Sequence, residues 1–343
     1  MASDGSATAD WYDRATRDLA GHSALHVAWA TGVRDDPEVL AVLDRLPRER
    51  RQPSLVFSVA TLLGAPIGGY PAFREWLLAH ADRLVDEASR RRTQTNEVGR
   101  CAPLVAALAR IAGPIALLEV GASAGLCLLP DRYRYRFSAA AAEGVAPGGD
   151  RGAVDLGDGD PLVECVVSGV GAAPRRLPDI VWRRGLDLDP LHPETDAAWL
   201  EALIPADRPD RRARLRAALA TARSDPPEVV GGDALAGLDA ALAGAPADAE
   251  LVVASLGTLV YLAPEARAAF PDAVRARGAR LVALEGRGVL PRVAERRARL
   301  DCPDPTGFVL SLDEEPIADV APHGDRMSWL SGSGHPGGAG GAA

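Results

Sequence analysis

The segment 117–127 constrains the fold and chemistry of this chain more than any other part. It has the sequence Leu-Leu-Glu-Val-Gly-Ala-Ser-Ala-Gly-Leu-Cys, and it continues an apolar run that begins at Ile115. A chain that leaves a buried strand and turns directly into a helix needs small residues where its backbone meets a ligand, and the N–H groups at the helix end then face outward. The segment therefore indicates a loop for a nucleotide-type cofactor. It also fits a second pattern, because Gly121, Ser123 and Gly125 have the spacing of a hydrolase nucleophile elbow.

Composition and charge exclude several classes of protein. The chain has 343 residues, of which 25% are charged, and a formal net charge of −9, which argues against a general binder of nucleic acid. All 38 basic residues are arginine. Without lysine the chain has neither a Schiff-base lysine for pyridoxal phosphate nor the lysine of a Walker loop.

The cysteines and the terminal segments indicate a protein of the cytoplasm. The four cysteines are too scattered for a zinc cluster or a disulfide framework, so we expect no metal site and a reducing compartment. The first ten residues lack a secretion pattern, and no apolar stretch of about 18 residues predicts a membrane span. The glycine-rich segment 331–343 is predicted to be a disordered tail. The cysteines are Cys101, Cys127, Cys165 and Cys302.

Hydrophobic periodicity divides the chain into two regions. Up to residue 112, apolar residues recur at three- and four-residue spacing, which predicts five or six helices and almost no strand. Residues 113–330 contain short apolar runs between helical stretches, which predicts βαβ units on a doubly wound, mostly parallel sheet. We therefore expect an α/β fold, with a helical N-terminal region at 1–112 and a Rossmann-like domain at 113–330. The predicted parallel strands are Ile115–Val120, Ile180–Trp182, Val229–Val230, Leu251–Ser255 and Leu281–Glu285.

Two further segments interrupt or follow this alternation. Residues 132–178 are rich in glycine and contain only short β-like runs, so we predict an irregular insertion between the first helix and the second strand. Gly307–Leu312 and Ile317–Val320 are predicted to form an antiparallel hairpin that closes the sheet.

The hydrolase hypothesis needs a catalytic histidine, and the chain offers few candidates for this role. About 110 largely helical residues precede the Gly121-x-Ser123-x-Gly125 pattern, and no HGGG-type oxyanion segment is present. His335 lies in the predicted tail and His192 comes too soon after the second strand. His323 is the remaining candidate.

Acidic residues at the ends of three predicted strands favour the cofactor hypothesis. Glu119 ends the first strand, where its carboxylate can take part in binding a cationic amino-acid group. Asp187, after the second strand, can accept both hydroxyls of an adenosine ribose, and Asp233 with Ala234 can flank an adenine ring after the third. Each acid alone is as typical of a helix N-cap, but their joint position at one edge of a sheet favours a ligand. Asp187→Ala is then expected to weaken cofactor binding and to change folding little.

This pattern resembles the class I S-adenosylmethionine-dependent methyltransferase fold, with Ser123 in place of the middle glycine. The resemblance implies S-adenosylmethionine as cofactor and methyl transfer to a small molecule. A nicotinamide enzyme fits less well, because its acid should follow the glycines by about 20 residues. The residues expected to bind the cofactor are Glu119, Gly121, Ser123, Gly125, Asp187, Asp233 and Ala234.

Three segments also resemble the DUF2332 family of uncharacterised actinobacterial proteins. They are Arg92–Cys101, Glu119–Leu126 with Asp131-Arg132-Tyr133, and Arg184–Leu191, within a resemblance that runs from about Pro53 to Gly286. The resemblance implies a methyltransferase-like fold behind a helical N-terminal region and brings no established reaction. The alternatives are therefore a non-methylating ligand-binding protein on the same scaffold, or a serine hydrolase that uses Ser123.

Polar residues near the predicted ligand edge are candidates for substrate binding, although none is assigned as catalytic. Gln94, Asn96 and Arg100 supply amide and guanidinium donors, but Thr95 and Glu97 beside them also fit the start of a helix at Val98–Ile111. Further candidates follow the fourth and fifth strands, where packing is the other interpretation for the tyrosine. They are Ser255, Tyr261 and Glu285, with Thr258 as a weaker one.

Overall fold

A computed structural model describes residues 4–94, 96–140, 152–169, 173–300 and 307–330. Thr95, His335, Cys302, the predicted tail and two parts of the predicted insertion lie outside the described residues. The chain divides into two compact units. The first unit comprises residues 1–95 and 195–216, and the second comprises residues 96–194 and 217–343.

The regular secondary structure in the described residues of the first unit is entirely helical, as the periodicity predicts. Its core is aromatic: the Trp29 ring stacks on Phe73 with centroids 4.2 Å apart, and Phe57 packs edge-on against both. Its helices are α1 (Asp4–Asp18), α2 (Ala24–Arg34), α3 (Pro37–Leu43), α4 (Pro53–Leu62), α5 (Tyr70–Ala79), α6 (Ala81–Arg90), α8 (Ala197–Ala202) and the first part of α9 (Pro209–Ser224).

The second unit is built on one sheet, in which eleven strands lie among the described residues. Their order across the sheet is β3-β2-β4-β11-β10-β9-β8-β7-β1-β5-β6. The strands are β1 (Ile115–Val120), β2 (Arg134–Ala139), β3 (Val154–Leu156), β4 (Leu162–Gly169), β5 (Ile180–Asp187), β6 (Val229–Gly231), β7 (Glu250–Leu256), β8 (Arg280–Gly286), β9 (Phe308–Leu312), β10 (Glu315–Val320) and β11 (Arg326–Trp329).

The five predicted parallel strands are confirmed as β1, β5, β6, β7 and β8. β1 lies between β5 and β7 and is buried along its whole length, which explains the apolar run Ile115–Leu118. After β1 the chain forms β2, β3 and β4 at the far end of the sheet and then returns to β5 beside β1. From β5 it continues outward to β6 and crosses to β7 on the other side of β1. The point where the strand order reverses is where open α/β sheets bind ligands.

The predicted hairpin is confirmed as the antiparallel pair β9 and β10, but it does not close the sheet. β11, β4, β2 and β3 continue the sheet beyond it. The segment 132–178 was therefore predicted wrongly as irregular, since it supplies three strands of the same sheet. In β4 buried and exposed residues alternate, so a run with one solvated face carries a weaker hydrophobic pattern than a fully buried strand.

The predicted helix after the glycine loop is also wrong. The segment Leu126–Arg132 forms two short 3-10 turns and no α-helix. Pro130 begins the second turn, and a proline there removes a backbone donor that a continuing helix would need. The ligand edge of β1 therefore has no α-helix N-terminus directly after its loop.

The remaining helices of the second unit pack against this sheet. The helix predicted at Val98–Ile111 begins with a 3-10 turn at Val98–Arg100 and continues as α7 (Cys101–Leu108), which packs on β4, β8 and β9. No helix in the described part of the chain has the length and apolar character needed to cross a membrane. The other helices are α10 (Leu238–Leu242), α11 (Pro264–Arg275) and α12 (Pro291–Ala298).

Candidate functional site

The C-terminal ends of β5, β1, β7 and β8 form one edge of the sheet, which we call the carboxyl edge. Glu119 pairs with Gly185 of β5 and with Ala254 of β7, so these three strands end side by side. Ser255 of β7 pairs with Ala283, two residues before Glu285 at the end of β8. Parallel pairing thus brings acids far apart in the chain to a common edge.

Glu119 is a buried acid at the end of β1. Its side chain is 4% exposed, and its Oε2 atom is buried with no hydrogen-bond partner among the described residues. Burial raises the pKa of this carboxyl group well above its usual value, and the nearby Cys127 and Asp187 raise it further, while Arg100 lowers it. A buried carboxylate without a partner is costly, so a proton or a bound cation must compensate it.

The loop after Glu119 is shaped by contacts within the protein. Gly121 and Gly125 have φ angles of 78° and 71°, which glycine adopts at little cost. A Cβ atom on Gly121 would lie 2.0 Å from the Thr258 Oγ1 atom, and one on Gly125 would lie 2.7 Å from a Pro227 carbon. Packing therefore requires both glycines whether or not a ligand binds.

Gly121→Ala should lower the free energy of unfolding by about 1–3 kcal/mol more than Gly113→Ala does. Both glycines have a positive φ, of 78° and 82°, so both substitutions strain the backbone. Only at Gly121 does the new methyl group also clash, because the space around Gly113 is open. Urea denaturation of the two variants measures the difference, and equal losses would show that Thr258 simply moves aside.

Ser123 lacks the setting that a nucleophile elbow provides. Its φ of 51° is unusual for a residue with a side chain and agrees with a sharp turn. However, Ser123 is only 2% exposed, and no α-helix follows it in the segment Leu126–Arg132. The elbow places an exposed serine between a strand and a helix, so this geometry gives the hydrolase hypothesis little support.

Asp187 holds the loop through its side chain. Its Oδ2 accepts a hydrogen bond from the Ser123 backbone N–H at 2.8 Å, and its Oδ1 accepts one from Asp189 N–H at 2.8 Å. We expected from the sequence that removing this carboxylate would change folding little. Its two hydrogen bonds to the loop argue against that expectation.

Asp187→Ala should instead lower the free energy of unfolding by about 1–3 kcal/mol, because the Ser123 N–H loses its acceptor. Asp248→Ala is the matched control, since Asp248 is exposed and should change stability by less than about 0.5 kcal/mol. Thermal and urea denaturation of both variants test this prediction. Equal stabilities of the two variants would show that the hydrogen bonds of Asp187 do not stabilise the folded protein.

Asp233 fits the capping interpretation rather than a buried ligand contact. It is exposed, and its Oδ1 accepts hydrogen bonds from Leu235 N–H and Ala236 N–H, both at 2.9 Å. These bonds lower the pKa of the Asp233 carboxyl group. Ala234, between the acid and its donors, is half-buried.

Arg100 is a buried cation among the acids of the carboxyl edge. It is 7% exposed, and it donates to the carbonyl of Pro322 at 2.9 Å and to that of Leu256 at 2.5 Å. Burial raises the pKa values of Glu119 and Glu285, and the charge of Arg100 opposes that rise. Arg100 therefore joins the end of β7 to the turn after β10 and partly neutralises the acids.

Glu285 and Ser255 organise the turn that follows β7. Glu285 Oε1 accepts from the Ser255 hydroxyl at 2.7 Å and from three backbone N–H groups, of Gly257, Thr258 and Leu259, at 3.2, 2.9 and 3.0 Å. Its Oε2 is buried without a hydrogen-bond partner in the described structure, and burial raises the pKa of the carboxyl group. Both residues therefore fix the shape of the loop that contains Thr258.

The remaining substrate candidates, Gln94 and Asn96, belong to different units of the chain. Gln94 is half-buried in the first unit. Asn96 belongs to the second unit, where its Nδ2 atom is buried with no hydrogen-bond partner in the described structure. Glu97 occupies the N-cap position of the turn Val98–Arg100 and accepts from Gly99 N–H.

The sequence analysis missed a carboxylate–imidazole pair at the carboxyl edge. The His323 Nδ1 atom lies 3.3 Å from Glu97 Oε2, an ion-pair distance rather than that of an aligned hydrogen bond. Two glycines could have indicated it: a Cβ on Gly99 would lie 2.1 Å from the His323 carbonyl oxygen, and one on Gly324 would lie 2.2 Å from the Gly99 carbonyl oxygen. Glycines at both positions allow the two backbones to meet.

One family model matches almost the entire chain. Its description is "Uncharacterized protein conserved in bacteria (DUF2332)", and the match covers residues 6–329. The chain belongs to the DUF2332 family. No curated protein and no solved structure matches it.

This DUF2332 chain has exposed apolar side chains on both sides of its glycine loop. Leu188, directly after β5, is 69% exposed, and Val260 and Tyr261, after β7, are 47% and 74% exposed. This exposure gives no support to the alternative in which Tyr261 packs against a helix. Because β5 and β7 flank β1, these side chains give the carboxyl edge an apolar rim beside its buried acids.

Proposed function

We propose that the protein catalyses S-adenosylmethionine-dependent methyl transfer to a small molecule. The observation that carries the proposal is Glu119, a buried carboxyl group whose Oε2 atom has no hydrogen-bond partner among the described residues. It lies at the tip of the central strand, beside the point where the strand order reverses. Burial without a partner is characteristic of a group whose partner is a ligand. A carboxylate here complements the cationic amino group of the cofactor.

The other residues at this edge fit the rest of such a ligand. Each carboxylate oxygen has more than one acceptor position, so Asp187 can accept ribose hydroxyls while it holds the loop. The cofactor supplies an electrophilic methyl group when it is bound. The protein's contribution to such a transfer is mainly to bring the methyl group and the acceptor together in line and to exclude water.

Calorimetric titration of the full chain with S-adenosylmethionine and S-adenosylhomocysteine tests the proposal. We expect both to bind, and we expect Glu119→Gln to weaken binding about 30-fold or more, because a buried charge on the ligand then lacks its counterion. Glu250→Gln is the control, since Glu250 is exposed at the opposite end of β7. Absence of binding of either compound at millimolar concentration would exclude the function.

A ligand-binding protein that does not transfer methyl groups is the second candidate. Two observations favour it: the Asp187 carboxylate already holds the loop, and the segment Leu126–Arg132 has no α-helix whose N-terminus could face a cofactor. Binding of methyl-labelled cofactor without loss of the label across a broad screen of acceptors would support this candidate.

A further inference from the structure

Glu97 and His323 have the composition of a general base with an orienting acid. The imidazole Nδ1 is 3.3 Å from the Glu97 carboxylate, which is itself buried and accepts a hydrogen bond from Gly99 N–H at 3.2 Å. The His323 side chain is 24% exposed, so the ring is accessible while its acid is not. A buried carboxylate at ion-pair distance from one ring nitrogen favours the imidazolium that forms when the other nitrogen takes a proton.

This pair lies at the same edge as the proposed cofactor site. β10 runs antiparallel to β9, and β9 runs antiparallel to β8, so the turn after β10 that carries His323 is at the carboxyl edge. The Cys127 thiol, two residues beyond the glycine loop, contacts the Glu97 carbonyl oxygen at 3.6 Å. Arg100 donates to the carbonyl of Pro322, and it lies close enough to Glu119 for its charge to oppose the rise that burial causes in the pKa of that carboxyl group.

We propose that His323, positioned by Glu97, is the general base that deprotonates the methyl acceptor, and that this acceptor is a phenolic hydroxyl group. The inference rests on the proposed function. A hydroxyl group becomes a good nucleophile only when a base removes its proton, whereas an amine can lose its proton to water before it attacks.

The acidity of the acceptor and the rim of the site both favour a phenol. A phenol, with a pKa of about 10, is close enough to an imidazole for efficient proton transfer, whereas an aliphatic hydroxyl is far less acidic. The exposed side chains of Leu188, Val260 and Tyr261 match the apolar faces of an aromatic ring.

The reaction balances without a further reagent. The phenolic O–H bond breaks as Nε2 of His323 takes the proton, and the phenolate oxygen forms a bond to the methyl carbon. The carbon–sulfur bond breaks, its electron pair stays on sulfur, and the sulfonium becomes a neutral thioether. The imidazolium then releases one proton to water.

The test compares methyl transfer from labelled S-adenosylmethionine to phenol, 4-nitrophenol, aniline and benzylamine by the full chain and its variants. We expect transfer to the phenols, with kcat for phenol lowered about 100- to 10,000-fold in His323→Gln and KM little changed. The fall in kcat should be smaller for 4-nitrophenol, because a more acidic phenol loses its proton more readily without a base.

Glu97→Gln, which keeps an acceptor for Gly99 N–H, should show a smaller fall in kcat with the same dependence on the acidity of the phenol. His80→Ala, in the first unit, is the control and should retain the parental rate.

The outcomes separate this inference from the proposed function. Binding of S-adenosylmethionine with transfer to the amines alone, or with transfer to none of the four probes, would overturn the inference and leave cofactor binding intact. A His323→Gln variant that is folded by circular dichroism and methylates phenol at the parental rate would also overturn it, as would equal losses for the two phenols. Absence of cofactor binding would overturn the proposed function and the inference together.

Discussion

Replacing Arg297 by methionine should lower the free energy of unfolding by about 3–5 kcal/mol. Arg297 of α12 and Asp319 of β10 form an ion pair in which Asp319 is completely buried. The Arg297 Nε atom donates to Asp319 Oδ1 at 2.8 Å, and its Nη2 atom donates to Oδ2. Without Arg297, Arg287 is the one cation that remains paired with this carboxylate among the described residues, at 3.3 Å and 40% exposed, so most of the desolvation cost is uncompensated.

Arg280→Met is the matched control for this prediction. Arg280 pairs with Asp313 at 2.7 Å, but both side chains are substantially exposed, so removing the charge should cost less than about 1 kcal/mol. The double variant Arg297→Met with Asp319→Leu should regain much of the lost stability, because it removes the orphaned charge. Urea denaturation of the three variants measures these differences. Equal losses for Arg297→Met and Arg280→Met would show that Asp319 is solvated in solution.

The sequence predicts the buried strands at the centre of the sheet, such as β1 and β7, better than the strands beyond the hairpin, such as β2 and β11. β1 and β7 are apolar runs that are recognisable without knowledge of their partners. β2 carries arginine at its partly solvated positions, and β11 has only four residues, so neither has a pattern that distinguishes it from a loop. The helix expected after Gly125 does not form, because Pro130 interrupts the segment.

The candidate site shows the same division between local and long-range information. Acids at strand ends can be predicted to share an edge, because parallel strands end together. The hydrogen-bond and ion-pair partners of these acids cannot be predicted in this way. Glu285 accepts hydrogen bonds from the turn after β7, and Glu97 contacts His323 only because β10 ends at that edge. The sequence also does not distinguish an acid that holds a loop, such as Asp187, from one such as Glu119, whose Oε2 atom has no hydrogen-bond partner among the described residues.

Glu119→Gln should stabilise the unliganded protein at neutral pH, and the gain should disappear as the pH falls toward 4. Burial raises the pKa of Glu119 in the folded protein above its usual value of 4.5. Below that value both the folded and the unfolded chain carry the proton, and the residue imposes no penalty. As the pH rises, the unfolded chain loses the proton first, so folding becomes less favourable. Each pH unit over which only the folded chain keeps the proton costs about 1.4 kcal/mol.

Glutamine has the shape of the protonated side chain and does not titrate, so the variant should lack this loss. Urea denaturation between pH 4 and pH 8 measures the difference between variant and parent, with Glu250→Gln, at an exposed position, as the control. Saturating S-adenosylhomocysteine should reverse the order at neutral pH, because its cationic amino group stabilises the ionised Glu119 in the parent and has no counterion in the variant. If parent and Glu119→Gln have the same pH dependence without ligand, Glu119 is solvated or paired in solution. The observation on which the proposed function rests would then be lost.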